Sequence, residues 1–60
     1  MKTAKRIENE IQHKRDLIEI VEKEIARTDI DRTYREDMLM QKYKMLHQVD
    51  ELKAELDELQ

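Results

Sequence analysis

The chain of 60 residues contains no glycine, no proline and no cysteine, and its only aromatic residues are two tyrosines. Without cysteine, no disulfide can stabilise the fold. Without glycine, tight turns that need a positive φ lack their preferred residue, and β architectures require many turns. A chain with neither glycine nor proline and with 45% charged residues is typical of long amphipathic helices. These absences exclude a disulfide scaffold and argue against a β-sheet.

The length of the chain is sufficient for one small domain with a limited core. A chain of this length buries only about 60% of the surface that it exposes when unfolded. Small domains that lack disulfides commonly gain stability from a metal or from self-association. We therefore expect a single domain that forms a homodimer.

Charge and hydropathy argue against several classes of partner. The formal net charge of -3 provides no overall attraction for nucleic acid or for an anionic membrane. No apolar run approaches the roughly 20 residues that span a bilayer. The basic start at Lys2, Lys5 and Arg6 is not followed by the apolar segment of a signal peptide. We expect a cytoplasmic protein with no membrane partner and no small-molecule substrate.

Apolar residues recur at alternating steps of three and four in both halves of the chain, which predicts an amphipathic helix in each half. We call each of these rows a seam, because it should face the other helix. The first seam comprises Ala4, Ile7, Ile11, Ile18, Val21 and Ile25. The second seam comprises Met38, Met45, Val49, Leu52, Leu56 and Leu59. One position in each seam is basic, Lys14 in the first and Lys42 in the second. The pattern predicts an all-α protein.

The two seams are out of phase, which predicts a break between the helices. The first seam, continued beyond Ile25, leads to Leu39, whereas the second seam runs through Met38. The expected elements are a helix over about 3–27, a connection over about 28–33 and a helix over about 34–59. Each helix would then be roughly 40 Å long at 1.5 Å per residue.

Several residues near the break are suited to helix ends. Thr33 followed by Glu36 fits a capping box, and Asp29 or Asp31 is an alternative N-cap. Arg27 suits the last turn of the preceding helix, where a cation is favoured by the helix dipole. The absence of glycine favours the alternative to a hairpin, which is one uninterrupted helix in a long coiled coil.

The distribution of charge favours a chain that folds back on itself. Residues 1–15 carry five basic and two acidic side chains, a net charge of +3, and residues 50–60 carry five acidic and one basic, a net charge of -4. Both clusters are at the unfavourable end of their helix dipole, and antiparallel packing places them side by side. The same alignment sets Ile11 opposite Val49, Ile18 opposite Lys42 and Tyr43, and Val21 opposite Leu39. We predict an antiparallel, coiled-coil-like helical hairpin.

The chain has more apolar surface than one seam per helix requires. Leu17 and Ile20 lie off the first seam, and Leu39, Tyr43 and Leu46 form a second row on the second helix. In one interpretation, two hairpins bury this face in a dimeric four-helix bundle. In the other, the face binds a different protein. The sequence leaves both open.

The chain has few groups that could perform catalysis or bind a metal. It contains neither serine nor cysteine as a nucleophile, and a glycine-rich phosphate loop is impossible. Glu10 and His13 have the Glu-x-x-His spacing of di-iron bundles, but the second helix offers no seam carboxylate opposite them. We predict no enzymatic activity, no cofactor and no metal site.

A basic stripe on the first helix raises the alternative of RNA binding. Dimeric helical hairpins of the Rop type have a comparable length and architecture and bind paired RNA helices through such a face. The stripe comprises Lys2, Lys5, Arg6, Lys14 and Arg15. Because the acidic second helix should neutralise much of it, nucleic acid is the less favoured partner.

Residues 14–27 carry a charged amphipathic pattern that consists of Arg15-Asp16, Ile18-Glu19, Glu22, Glu24-Ile25 and Arg27. This pattern resembles the second helix of the Sda family of sporulation histidine-kinase inhibitors, which are small helical hairpins without a catalytic role. The resemblance implies docking on a helical-bundle target through Leu17, Ile18, Ile20 and Val21.

Together these features predict a small non-enzymatic regulatory or adaptor protein that binds a larger protein through a helix face and inhibits or modulates it. The alternatives are a structural coiled-coil assembly element and a Rop-like RNA-binding dimer. The candidate protein-binding or dimer surface comprises Leu17, Ile18, Ile20, Val21, Leu39, Tyr43 and Leu46.

Overall fold

The computed structural model describes residues 2–60, which form two helices, α1 (Ala4–Ile25) and α2 (Arg32–Leu59), packed against each other. The molecule measures 44 × 14 × 14 Å. At 1.5 Å per residue, α2 alone is roughly 42 Å long, so the two helices must lie side by side. The prediction of an all-α helical hairpin is confirmed, and residues 2–60 contain no strand. The uninterrupted helix is excluded.

The helix ends differ from the predicted ones by up to two residues. Helix α1 ends at Ile25 rather than near 27, and α2 begins at Arg32 rather than near 34. The second difference arises because Asp31, and not Thr33, is the N-cap, and its carboxylate accepts a hydrogen bond from the Tyr34 backbone N–H at 2.8 Å. At the other N-terminus, the Thr3 hydroxyl accepts from the Arg6 backbone N–H at 3.2 Å. A capping oxygen of this kind satisfies an N–H that has no partner within the helix.

The chain reverses between the helices without any positive φ angle in the described residues. The carbonyls at the end of α1 have no partner within the helix, and glycine motifs commonly satisfy them. Here the guanidinium of Arg35, in the first turn of α2, performs this role. Its Nε donates to the Ile25 carbonyl at 3.2 Å, and its Nη2 donates to the Arg27 carbonyl at 2.6 Å. A side chain from the following helix therefore replaces glycine.

The buried residues lie mainly in the half of the hairpin that contains the chain termini, and Ile18, just beyond the middle of α1, is the one nearest the connection. They are Ile7, Ile11, Ile18, Val49 and Leu52, with Met45 and Leu56 packed against them. The predicted neighbours Ile11 and Val49 thus belong to one cluster. Between residues 19 and 48, in contrast, no side chain is buried.

The seam near the connection is more polar than the seam near the termini. Arg35 and Lys42 occupy seam positions of α2, and the Lys42 ammonium lies 3.8 Å from a carboxylate oxygen of Glu22. Taking a charged group out of water costs free energy, so the presence of Arg35 and Lys42 keeps this part of the seam open to solvent. Val21 and Ile25 are consequently only half-buried.

Candidate interaction surfaces

The candidate surface residues occupy three different environments. Ile18 is 6% exposed and belongs to the core, so it does not contribute to an outer surface. Ile20 and Tyr43 are 58% and 63% exposed. Leu46 is 39% exposed, and the remaining three, Leu17, Val21 and Leu39, are half-buried. These six outer residues are the members of the candidate surface that lie outside the core, and Tyr34, Met40 and Leu59 are exposed in addition to them.

These six residues do not form one continuous face. Leu17 precedes the seam residue Ile18 by one position, whereas Leu46 follows the seam residue Met45 by one position. One position corresponds to about 100° around the helix. The two groups therefore leave the seam in opposite rotational senses, and in an antiparallel pair opposite senses lead to opposite sides of the hairpin. We call Leu17, Ile20 and Val21 the α1 patch, and Leu39, Tyr43 and Leu46 the α2 patch.

Contacts between the helices support this assignment to two sides. The α1 patch shares its side with Glu24, which is seven residues after Leu17 and accepts a hydrogen bond from the Tyr34 hydroxyl at 3.1 Å. The α2 patch shares its side with Lys42, which pairs with Glu22. Glu22 and Glu24 are two residues apart and so point in widely different directions from α1. The single surface expected near the connection is therefore divided, because the seam lies between its parts.

A polar cluster holds the connection beside the α1 patch. The guanidinium of Arg27 lies 2.7 Å from Asp29 and 3.2 Å from Glu24. The hydrogen bond from Arg27 lowers the pKa of Asp29, and the two carboxylates raise the pKa of Arg27, chiefly through the bond to Asp29. Hydrogen bonding to Glu24, and then desolvation, raises the pKa of Tyr34. The sequence had assigned Arg27 to the end of α1, but its side chain binds carboxylates of the connection and the last turn.

The basic residues of the predicted RNA-binding stripe do not form one continuous row. Lys2 lies 3.3 Å from Glu10 and 3.9 Å from Glu55, so the acidic end of α2 contacts it as the charge pattern predicted. Lys14 lines an open groove with Glu10. Arg15 lines a different groove, next to Lys53 of α2. The stripe is interrupted by carboxylates and distributed over two grooves.

The candidate metal-binding pair, Glu10 and His13, lies in an open groove in which Glu10 is bound to a lysine. Glu10 accepts a hydrogen bond from Lys2, and His13 is exposed beside it in the open groove. His47 lies 2.9 Å from Glu51 on the outer surface of α2. Within residues 2–60, no three histidine, cysteine or carboxylate side chains lie close enough to hold a metal ion. The chemistry available to this surface is therefore that of ion pairing and apolar contact.

Comparison of the chain with protein-family models, with curated proteins and with solved structures finds no match. Neither α1 nor α2 is both long and apolar enough to cross a membrane.

Proposed function

We propose that this chain is a small, cytoplasmic, non-enzymatic regulatory or adaptor protein that binds a larger protein target through the α1 patch. The observation that carries the proposal is the exposure of Ile20 beside the half-buried Leu17 and Val21 on one side of α1. Leu17, Ile20 and Val21 stand at positions i, i+3 and i+4, the spacing by which a helix anchors in an apolar groove or against another helix. Ile20 in particular is a large aliphatic side chain with more than half of its surface exposed.

The resemblance of residues 14–27 to the Sda family supports the same side of the hairpin. Of the four residues through which that resemblance implies docking, three belong to the α1 patch, and the fourth, Ile18, lies in the core directly beneath it. The proposed target surface is a helical bundle, since rows of side chains spaced three and four residues apart pack into the grooves of another helix.

The proposed mode of action is inhibition or modulation of the target. A hairpin 14 Å across can act on a larger protein by occupying a surface that the target needs for its own contacts. Glu10 and Glu24 border the α1 patch at either end, each seven residues, or about two turns, from Leu17. Charges around an apolar centre contribute more to orientation and partner choice than to affinity. We therefore expect the target surface to carry basic residues around an apolar groove.

We also propose that the chain forms a homodimer, in which two hairpins bring four helices together. The support is the α2 patch, which lies on the side opposite the α1 patch and is therefore free to bind at the same time. The same observation favours the second candidate function, a structural coiled-coil assembly element, if both patches bind copies of this chain.

Site-specific photo-crosslinking in the native host tests the proposed function. A photoreactive residue replaces Ile20 in one variant and Met40 in the control, because Met40 is also apolar and is 72% exposed but lies outside the α1 patch. We expect a larger protein to be joined to position 20 and not to position 40. We also expect Ile20→Glu to abolish recovery of that protein, while Met40→Glu retains it.

Two results would contradict the proposal. If position 20 is joined only to further copies of this chain, the α1 patch belongs to an assembly interface, and the structural alternative is correct. If the chain recovers RNA at low salt and loses it as salt increases, the protein is an RNA-binding dimer.

A further inference from the structure

The α2 patch is the centre of a longer row on the outer side of α2. Its positions alternate by four and three residues, which is the repeat of a coiled-coil seam. The row, which we call the α2 stripe, comprises Arg32, Glu36, Leu39, Tyr43, Leu46, Asp50, Lys53 and Asp57. The stripe is therefore apolar in the middle and charged at both ends, and the seam with α1 does not use it.

The hairpin is elongated, so it exposes more surface than a compact molecule of the same mass. Its accessible surface is 4867 Å², whereas a compact monomer of 7.4 kDa is expected to expose about 4,200 Å². This excess belongs to the 44 × 14 × 14 Å shape as a whole. A partner of the same length, lying along α2, would make the assembly more compact.

The order of charges along the α2 stripe is complementary to itself in the antiparallel direction. In antiparallel helix pairs, the two kinds of seam position face each other. With Tyr43 placed against Leu46 of the partner subunit, Arg32 faces Asp57 of the partner subunit, and Glu36 faces Lys53 of the partner subunit. Every one of these contacts occurs twice in a symmetric dimer. Within one hairpin, Arg32 and Glu36 already form an ion pair with each other at 3.1 Å. The antiparallel dimer adds four contacts of opposite charge between subunits to this pair, around the apolar centre.

A parallel arrangement would have the opposite effect. Each charged position would then lie beside its own copy, so that arginine faces arginine and aspartate faces aspartate, which is destabilising. The antiparallel arrangement also compensates the helix dipole. Helix α2 has no acidic residue in its first turn and no basic residue in its last, and the pairing brings Asp57 of the partner subunit to the first and Arg32 of the partner subunit to the last.

One layer of the arrangement pairs unlike side chains. Leu39 lies against Asp50 of the partner subunit, at the edge of the apolar centre. Asp50 is exposed in the hairpin, so its carboxylate can keep its contact with water while its methylene group packs on leucine. This contact limits the affinity of the dimer but is compatible with the proposed alignment of the two helices.

We propose that a second copy of this chain covers the α2 stripe, with the two α2 helices packed antiparallel about a two-fold axis. This inference rests on the proposed function for the existence of a dimer, and it assigns the dimer to one side of the hairpin. The α1 patch remains on the other side, so the dimer presents two target-binding surfaces that face away from each other. It also replaces the general expectation of a four-helix bundle core by a contact through one helix of each hairpin.

Analytical ultracentrifugation of matched variants is the first test. We expect Tyr43→Glu to convert the dimer to a monomer, and Ile20→Glu to leave the dimer intact. Both side chains are more than half exposed, so both variants should keep the helicity of the parent in circular dichroism. The inference fails if the parent is monomeric up to millimolar concentration, if Tyr43→Glu remains dimeric, or if Ile20→Glu dissociates the dimer.

Exchange of two charges tests the register and does not depend on the apolar centre. Glu36→Lys places lysine opposite Lys53 of the partner subunit, and Lys53→Glu places glutamate opposite Glu36 of the partner subunit. We expect Lys53→Glu to weaken dimerisation about tenfold, because two attractive contacts between subunits become repulsive. Glu36→Lys should weaken it at least as much, because it also removes the ion pair with Arg32 within α2. The double variant restores both pairs between subunits and should dimerise more tightly than either single variant. If the two effects add instead, the proposed register is wrong.

A distance measurement separates the two helix directions. With a spin label at position 58 of each subunit, antiparallel pairing predicts a separation of about 40 Å, from 1.5 Å per residue on either side of the axis. Parallel pairing predicts about 10 Å, which is the distance between packed helices. The distance between the spin labels does not depend on the target. An absence of crosslinking from position 20 to a larger protein would reject the proposed function but not this inference. A label separation of about 10 Å would reject this inference but not the proposed function.

Discussion

The half of the hairpin near the termini and the half near the connection are closed by different forces. Four of the five buried residues of the described chain lie in the terminal half, the fifth, Ile18, lies just beyond the middle of α1, and all five are aliphatic. The half near the connection contains none between residues 19 and 48, although it contains most of the large exposed apolar side chains. Packing therefore joins the helices at one end, while the apolar surface at the other end remains available to partners.

Polar contacts replace packing in the half near the connection. The guanidinium of Arg35 binds two carbonyls at the end of α1, and Tyr34 donates to Glu24. Lys42 adds a contact with Glu22 across the seam. Such contacts fix the direction of the chain but bury little area, and exposed polar contacts contribute little net stability. The comparison teaches that a chain this small can leave large apolar residues exposed where hydrogen bonds hold the turn.

Truncation of one buried isoleucine should have the largest effect on the free energy of unfolding of the hairpin. We expect Ile11→Ala to destabilise the hairpin by about 3 kcal/mol, or to unfold it outright, because it leaves a cavity in the core. Ile25→Ala is the matched control on the same seam of α1, where the side chain is only half-buried, and it should cost about 1 kcal/mol. Urea denaturation at one protein concentration, followed by circular dichroism, gives both values. Equal losses would show that the two halves are packed alike.

Loss of the Arg35 side chain should have an intermediate effect, confined to the connection. Arg35→Met keeps the aliphatic length but leaves the Ile25 and Arg27 carbonyls without their donor, which should cost about 1 to 2 kcal/mol. Arg35→Lys should not restore the loss, because an ammonium does not present the planar fork that reaches two acceptors. Arg15→Met, the control, removes an exposed charge and should stay within about 0.5 kcal/mol.

Hydrogen exchange locates the Arg35 effect. Amides in the last turn of α1 should lose protection in Arg35→Met, whereas amides beside Val49 should keep theirs. Uniform loss of protection along both helices would mean that Arg35 supports the whole hairpin rather than the turn.

Ionisation of Tyr34 should have the smallest effect, and its sign is set by the hydrogen bond to Glu24. Because the pKa of Tyr34 is raised in the folded chain, its contribution to stability is complete below pH of about 10 and is lost as the pH rises through the folded-state value. We expect Tyr43→Phe, which leaves Tyr34 as the only tyrosine, to titrate above pH 10 in ultraviolet absorbance. Glu24→Gln in that background should lower the midpoint. A midpoint at or below 10 would show that the hydrogen bond is absent in solution.

Much of the fold could be predicted from the sequence because its signals are local and repeated. The step of three and four residues identifies both helices, and the change of phase after Ile25 locates the reversal. The start of α2 is predicted less accurately, because Asp29, Asp31 and Thr33 all have side chains that can cap a helix. Their competition is decided by the geometry of the turn, which no short pattern records.

The role of Arg35 and the division of the candidate surface could not be read from periodicity alone. Arg35 acts on carbonyls eight and ten residues before it, and this contact exists only after the chain has reversed. The sequence does contain a signal for the division of the surface. Leu17 comes one position before its seam residue and Leu46 one position after its own, so the two lie on opposite sides of the seam. A single surface is expected when only the distance of each residue from the seam is counted. The side of the seam on which each residue lies, which depends on the direction of rotation around the helix, shows that there are two.

The reversal without positive φ has a consequence for what keeps the hairpin closed. Every torsion angle in the connection is one that an ordinary residue adopts, so the main chain itself does not oppose straightening. What resists it is the aliphatic cluster at the far end of the hairpin, together with the donors and acceptors around the connection. A sequence that loses the Arg35 guanidinium therefore keeps a backbone able to extend, and only the packing of α1 on α2 still holds the two arms together.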